Sequence, residues 1–381
     1  MSSSINGTIG VMVCRRPGSP PFAEKHYLRE LSLAAEKLGM KVFVFCPDED
    51  AGLPLAQAAG NRAVSIKGYR FHPGDGWISG SFPLPDVIYD RCLHGSGQES
   101  AAAGEWISRL LQQGSKLWSR GLPGKAKVHQ LLKRSPLLRP HLPATIRYTG
   151  ADSLSRALLA LNGSIFMKPS GGSHGRHSLY ISLKENHTAL LQGRDRSNTI
   201  FRQTIPAQEL NTWVRSFTGR RRFIIQPYLQ LHNQDGNPFD VRSLVQKNDR
   251  GIWSITGIAV RQGAEQGMTS NLHGGGTAYP ALPYLISEFG EEKARAIMDT
   301  IRNLSARIPP LLEEGFGRLG ELGIDFGVDT RGKVWILEAN SKPGRRAFVL
   351  TGDSKAARRS VEHPIQYARY LLLRQLRRVN T

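Results

Sequence analysis

Near the C-terminal end of this 381-residue chain, two runs that read as buried β-strands carry side chains that are costly to bury. Asp325 lies inside Ile-Asp-Phe-Gly-Val, and Glu338 and Asn340 close the apolar run Val-Trp-Ile-Leu. Residues two apart on a strand share a face, so Glu338 and Asn340 point the same way. Between the strands, Arg331-Gly332 supplies turn chemistry for a hairpin that brings Asp325 alongside. Two carboxylates and an amide oxygen at one point need a cation to neutralise them. Hard oxygen donors without His or Cys favour Mg²⁺ over zinc and leave coordination positions for phosphates. A surface hairpin with two solvated acids fits the same residues.

A second group lies upstream. Ile165, Phe166 and Met167 form a strand with Lys168 at its end, and Ser170 to Arg176 make a glycine-rich loop leading into a second strand, Leu179 to Ser182. A Walker-type phosphate loop instead runs from a strand into a helix and ends in Gly-Lys-Ser/Thr. Strand, glycine loop, strand suggests a flap whose backbone N–H groups lie over phosphates, with Lys168 as a point charge. A glycine-rich hairpin alone is a weak signal.

The elements that must hold these groups begin with a βαβ opening. Residues 9–14 read as a buried strand, residues 22–39 as a helix with Tyr27, Leu31, Ala34, Ala35 and Leu38 on its inner face, and Lys41–Pro47 as a second strand. After a Gly/Pro-rich excursion, residues 86–92 look like another central strand, so residues 1–118 form a first α/β lobe. No Gly-x-Gly-x-x-Gly follows the first strand, which removes support for a dinucleotide fold. A short helix starts near Lys125, and strands cover 221–231, 240–246 and 253–263, with Asp240 and Arg242 sharing a face. Residues 291–308 form an amphipathic helix with acidic Glu291 and Glu292 in its first turn.

A net charge of +20 suits polyanionic partners without choosing among them. The basic residues are dispersed rather than massed beside aromatics, so nucleic-acid binding has only composition behind it. No apolar run approaches the roughly 20 residues that span a bilayer, and the N-terminus lacks a secretory cleavage pattern. Cys14, Cys46 and Cys92 sit in or beside strand-like runs without metal spacing, as buried thiols of a reducing, cytoplasmic protein do. His129, His141, His174 and His177 read as polar loop or surface histidines. The C-terminal "IQYARYLLLRQLRRVN" is a basic amphipathic helix; packing of Tyr367, Leu371 and Leu372 on the domain is favoured over contact with an anionic surface.

Taken in order, Lys125 opening a helix, "FMKPSGG", "IQPYL", "DVRSLV", "SNLHGGG" and "GIDFGVD...WILEANSKPG" resemble the ATP-grasp superfamily of carboxylate–amine ligases over residues 123–346. "DVIYDR", "GKAKVHQLL", "TSNLHGGGTA" and "LEANSKPGR" are most similar to its YheC/YheD-like members, described as endospore coat-associated. The resemblance implies an α+β ATP-grasp fold. A first lobe over 1–118 would be followed by two lobes that clamp a nucleotide, 119–225 with the flap and 226–350 with the metal site, and then by a basic helix over 351–381. It implies ATP and Mg²⁺ as cofactors. Lys125 and Lys168 match lysines that contact phosphates, Gly171 and Gly172 belong to the flap, and Gln226, Tyr228 and Leu229 fall on the hinge that reads adenine. Asp240 matches a ribose-binding acid, and Asp325, Glu338 and Asn340 match metal ligands. Arg242, Asn271 and Arg345 are candidates for steadying the transferring phosphoryl group or the acyl phosphate, and His273 lies within a matching motif. Two departures stand out: Gln226 replaces a common Glu, and Thr269 and Ser270 stand where an arginine precedes the Ser-Asn-Leu-His run in several peptide-forming relatives.

Two functions fit these residues. One is an ATP-dependent ligase joining small-molecule or peptide carboxylates to amines; the other is a scaffold among spore-coat components that keeps the fold without turnover. Converging buried charges favour the first, because a purely structural descendant has no reason to keep them.

Overall fold

A computed structural model describes residues 7–47, 64–93, 97–119, 121–171, 177–263 and 276–379, with the side chains after 374 left out. Three sheets follow one another along the chain. The first contains β1 (Thr8–Met12), β2 (Lys41–Phe45), β3 (Ser65–His72), β4 (Gly76–Pro83), β5 (Val87–Asp90) and β6 (Lys116–Leu117) in the order β4-β3-β2-β1-β5-β6. Its centre is parallel, and β1, β2 and β5 are near-continuous apolar runs because helices cover both faces. Those helices include α1 (Lys25–Glu36) and α2 (Gly97–Gln112). The Gly/Pro-rich excursion contains an antiparallel hairpin, β3–β4, closed by glycines in left-handed conformations at Gly74 and Gly76.

The second sheet holds β7 (Ile146–Arg147), β8 (Ser164–Pro169), β9 (Ser178–Leu183), β10 (Thr188–Arg194), β11 (Ile200–Pro206) and β12 (Phe223–Pro227), ordered β11-β10-β9-β8-β12-β7. The helix α3 (Lys125–Leu132) precedes it, and α4 (Ala151–Ala160) and α5 (Leu210–Thr218) pack against it. The third sheet, β15-β14-β13-β16-β17, is built from β13 (Phe239–Lys247), β14 (Trp253–Gln262), β15 (Thr277–Pro280), β16 (Glu321–Val328) and β17 (Val334–Asn340). The helices α6 (Ala281–Phe289), α7 (Glu291–Phe316), α8 (Arg346–Leu350) and α9 (Ser354–Val379) complete the described chain.

Strand alternation in the third sheet separates core from site. Val241 and Val245 of β13 and Leu322, Ile324 and Phe326 of β16 join Ile297, Ile301 and Ile308 of α7 in one apolar cluster. The alternate positions, Asp240, Arg242 and Gln246 on β13 and Glu321 and Asp325 on β16, face the other way. All of β13 is buried, because the second face is covered as well, partly by Phe348 and Ala356 against Leu244. A register shift between β16 and β17 pairs Asp325 with Glu338 and Phe326 with Ile336, which leaves Leu337 as an extra residue. Without it Glu338 would share the core face of Ile336; the bulge turns it towards Asp325.

Three expectations change. Helix α7 continues through Pro309 and Pro310 to Phe316, since Pro309 and Leu312 extend the buried stripe of Ile308. Val128, Leu132 and Leu138 pack in the core of the third sheet, so the start of the stretch read as a second lobe belongs physically with the third. Helix α9 does not stand apart: its Tyr367, Leu371 and Leu372 join the core of the first lobe, as the favoured packing expected. No helix among the described residues is long and apolar enough to cross a membrane.

Candidate functional site

A cleft of about 320 Å³ opens between α3 and β17, lined by Lys125, His129, Gly171, Ile336, Glu338 and Asn340 among others. The first turn of α3 carries Lys125 into it. The Lys125 N–H donates to the Ser170 carbonyl oxygen at 2.8 Å, which ties the base of the glycine-rich loop to this helix start. Residue 124 is glycine where a Cβ would stand 3.1 Å from that same oxygen.

Opposed charges meet at the end of β17. Lys125 Nζ lies 2.7 Å from Glu338 Oε2, and the Asn340 side-chain amide donates to Glu338 Oε1 at 2.9 Å. Burial alone would raise the Glu338 pKa, but Lys125, Lys168 and the Asn340 amide overcome it and hold the carboxyl well below its usual range. Lys168, at the end of β8, donates to no acceptor among the described residues. Its pKa is lowered to about 8, first by burial and then by Lys125, with Glu338 and Asp325 opposing. Lys125 and Glu338 thus set an ammonium and an ionised carboxylate at one end of the cleft, close enough to Lys168 for their charges to act on it.

Asp325 sits opposite Glu338 in the strand register but is already neutralised. Arg242 grips both of its oxygens, with Nη2 2.9 Å from Oδ2, and Arg261 Nη2 lies 3.0 Å from that same Oδ2. Asp240 is likewise held by Arg261, its oxygens accepting from Nε at 2.7 Å and Nη2 at 2.5 Å. This departs from three ligands converging freely on a cation. Buried carboxylates need counter-charges, and here the arginines supply them. No group of three His, Cys, Asp or Glu poised for a metal occurs among the described residues.

The hinge residues are adjacent but differently engaged. Gln226 is buried and its amide donates to Thr145 Oγ1 at 2.8 Å. Tyr228 is exposed at its edge and packs on Tyr180 with ring centroids 4.1 Å apart. Leu229 is half-buried. Gly172, Asn271, His273 and His174 lie outside the described residues. His177 is not on the surface: it is 1% exposed, packed on Phe217 and Phe223, and its Nε2 lies 2.8 Å from the Phe217 carbonyl oxygen. Cys14 and Cys92 are buried, Cys46 is half-buried, and none is in a disulfide.

Arg345 is spent elsewhere. It pairs with Glu321 and donates to the Pro343 and Ser360 carbonyl oxygens at 3.1 and 3.0 Å. Glu321 also pairs with Arg91 at 3.1 Å and accepts from the Tyr89 hydroxyl at 2.6 Å. Arg91 is held in turn by Glu24. This buried network fastens β5 of the first lobe to β16, next to where Lys342 bonds Asp90 at 2.7 Å. Sequence reasoning missed Arg91, Glu321 and Arg261. Only for Arg261 was there a signal, since pairing the strands 240–246 and 253–263 sets it across from Asp240.

Residues 114–371, more than half of the 381, match the family described as YheC/D like ATP-grasp. The chain belongs to this ATP-grasp family. The endospore coat-associated protein YheC of Bacillus subtilis (strain 168) is 27% identical to it over 358 residues, covering 92% of this chain and 94% of that protein. The endospore coat-associated protein YheD of the same strain is 30% identical over 311 residues, or 78% of this chain and 65% of that protein. Among solved structures, the D-alanine-D-alanine ligase from Coxiella burnetii superposes with a TM-score of 0.55 at 13% identity, covering 98% of this chain and 99% of that one. At that identity the likeness establishes the ATP-grasp fold.

Proposed function

We propose that this chain binds ATP with Mg²⁺ in the cleft between α3 and β17, and joins a carboxylate to an amine through an acyl phosphate. The observation that carries the reading is the pair of lysines, Lys125 and Lys168, around the ionised Glu338 beside Gly171. Lys125 and Lys168 would hold a polyphosphate, and phosphate beside the Glu338 carboxylate would call for a cation to offset the two anions. The donors present fit Mg²⁺: Glu338 and the amide oxygen of Asn340 are hard ligands on one strand end, and Asp325 would join if its arginines released it. Bound there, the ion would neutralise phosphate charge.

The chain's own part is positioning and electrostatics. A substrate carboxylate oxygen attacks the γ-phosphorus as the bond to ADP breaks; an amine then attacks the acyl carbon and inorganic phosphate leaves. Lys168 and Lys125 would hold the phosphates, while Gln226, Tyr228 and Leu229 border the position of the base. The substrate class is a small-molecule or peptide carboxylate and an amine. The names of the relatives also support a spore-coat setting for this chain, with coat components as partners.

The test is ADP release across a panel of carboxylates and acidic peptides with hydroxylamine as the amine. The reading expects a hydroxamate formed in step with ADP and lost in Lys168→Ala. A folded wild-type protein that binds nucleotide yet releases no ADP with any carboxylate would favour the scaffold role.

A further inference from the structure

Arg261 touches both aspartates on the site face of the third sheet. It lies at the end of β14, opposite Asp240 in register, and its Nη2 reaches Asp240 Oδ2 at 2.5 Å and Asp325 Oδ2 at 3.0 Å. Arg242, opposite Asp325 in register, holds that carboxylate as a two-pronged fork. Both Asp325 oxygens are therefore taken, one of them twice. All four side chains are buried, and two positive and two negative charges cancel. Glu338, next in the same cross-strand row, is held among the described residues by one lysine and one amide.

We infer that Arg261, acting with Arg242, locks Asp325 against divalent cations until nucleotide phosphates give the guanidiniums another anion to hold. The inference rests on the nucleotide reading above. A cation arriving alone would have to eject two guanidiniums from a buried carboxylate, and an uncompensated buried charge is costly. Phosphate oxygens accept the same forked donors as a carboxylate does. Nucleotide and metal therefore enter together, and the cleft does not fill with metal alone. Arg261 is a positioning residue here, since it acts on the metal through Asp325.

The test uses Mn²⁺ as the probe, with free ion followed by electron paramagnetic resonance and no nucleotide present. Wild-type protein is compared with Arg261→Ala and Arg261→Gln, each also combined with Asp325→Asn. The glutamine keeps a donor for Asp240 should the alanine variant fail to fold. The expected result is weak wild-type binding, about tenfold tighter binding in the single variants because ligand charge sets the affinity of hard-ion sites, and loss of that gain in the double variants. Equal Mn²⁺ affinity in wild-type and folded single variants, or a gain that survives Asp325→Asn, overturns the lock. A parallel titration with a non-hydrolysable ATP analogue separates the two readings. If the analogue binds but leaves wild-type Mn²⁺ affinity unchanged, release by phosphate is wrong. If it does not bind at all, the nucleotide site is refuted while the metal-only comparison still decides the lock.

Discussion

Lys168 makes the affinity for nucleotide depend on pH in a window where most lysines are silent. Burial and the neighbouring Lys125 bring its pKa down from 10.5 to about 8. Only the charged form serves as a phosphate partner, and a bound phosphate draws that pKa back up, so affinity must fall as pH rises through about 8. From that pKa, about nine-tenths of the lysine is charged at pH 7 and about one-tenth at pH 9, which gives a roughly tenfold loss of affinity between them. Phosphate groups themselves titrate around pH 6 and are almost fully ionised by pH 7, below the window. Isothermal titration with ATP and Mg²⁺ at pH 7, 8 and 9, in buffers of different ionisation enthalpy, should show this loss with close to one proton taken up per nucleotide at pH 9. Lys168→Arg, which stays charged throughout, should bind with a flat profile. A flat wild-type profile, or a wild-type slope retained in Lys168→Arg, would refute the reasoning.

Other predictions concern stability. Glu321→Gln leaves Arg345 and Arg91 short of a buried counter-charge and should cost about 3–5 kcal/mol in urea unfolding; a loss under about 1 kcal/mol would mean the junction network is not what fastens the first lobe. His177 has its pKa lowered by burial, and by Arg221 and Arg196, despite its bond to the Phe217 carbonyl. The unfolded chain therefore takes up a proton more readily, so stability is complete above about pH 6.5 and falls as pH drops below it. His177→Asn, which suits the left-handed backbone at φ 58°, should flatten that acid slope in thermal melts. Gly320→Ala would set a Cβ 2.8 Å from the Trp118 ring and should cost about 1–3 kcal/mol with a change in tryptophan fluorescence.

Local signals made the opening βαβ unit and the hairpin of β16 and β17 legible, because their apolar alternation and turn residues act over a few positions. The turn is as the residues suggest: the Gly332 N–H donates to the Asp329 carbonyl oxygen at 2.7 Å with φ 84°. The end of α7 was not legible, since Pro309 and Pro310 are local stop signals and the burial that overrides them comes from another element. Hidden for the same reason were β3 and β4, whose Gly and Pro content reads as loop while pairing makes them strands. Within the site, side-chain type announced Lys168, Glu338 and Asn340, because a charge inside an apolar run is conspicuous. Which charges neutralise which was not announced. Arg91 and Glu321 are 230 residues apart in sequence yet in contact, and neither Arg242 nor Arg261 carries a mark that it faces Asp325.

Calorimetric titration of the purified protein with ATP and Mg²⁺, repeated on Glu338→Gln and Lys168→Ala, bears most directly on the central claim. One-site binding by the wild-type protein, lost or weakened about tenfold or more in both variants while they remain folded, is the predicted result. Absence of binding by the folded wild-type protein, or unchanged binding in both variants, would contradict a nucleotide site built on Lys168 and Glu338.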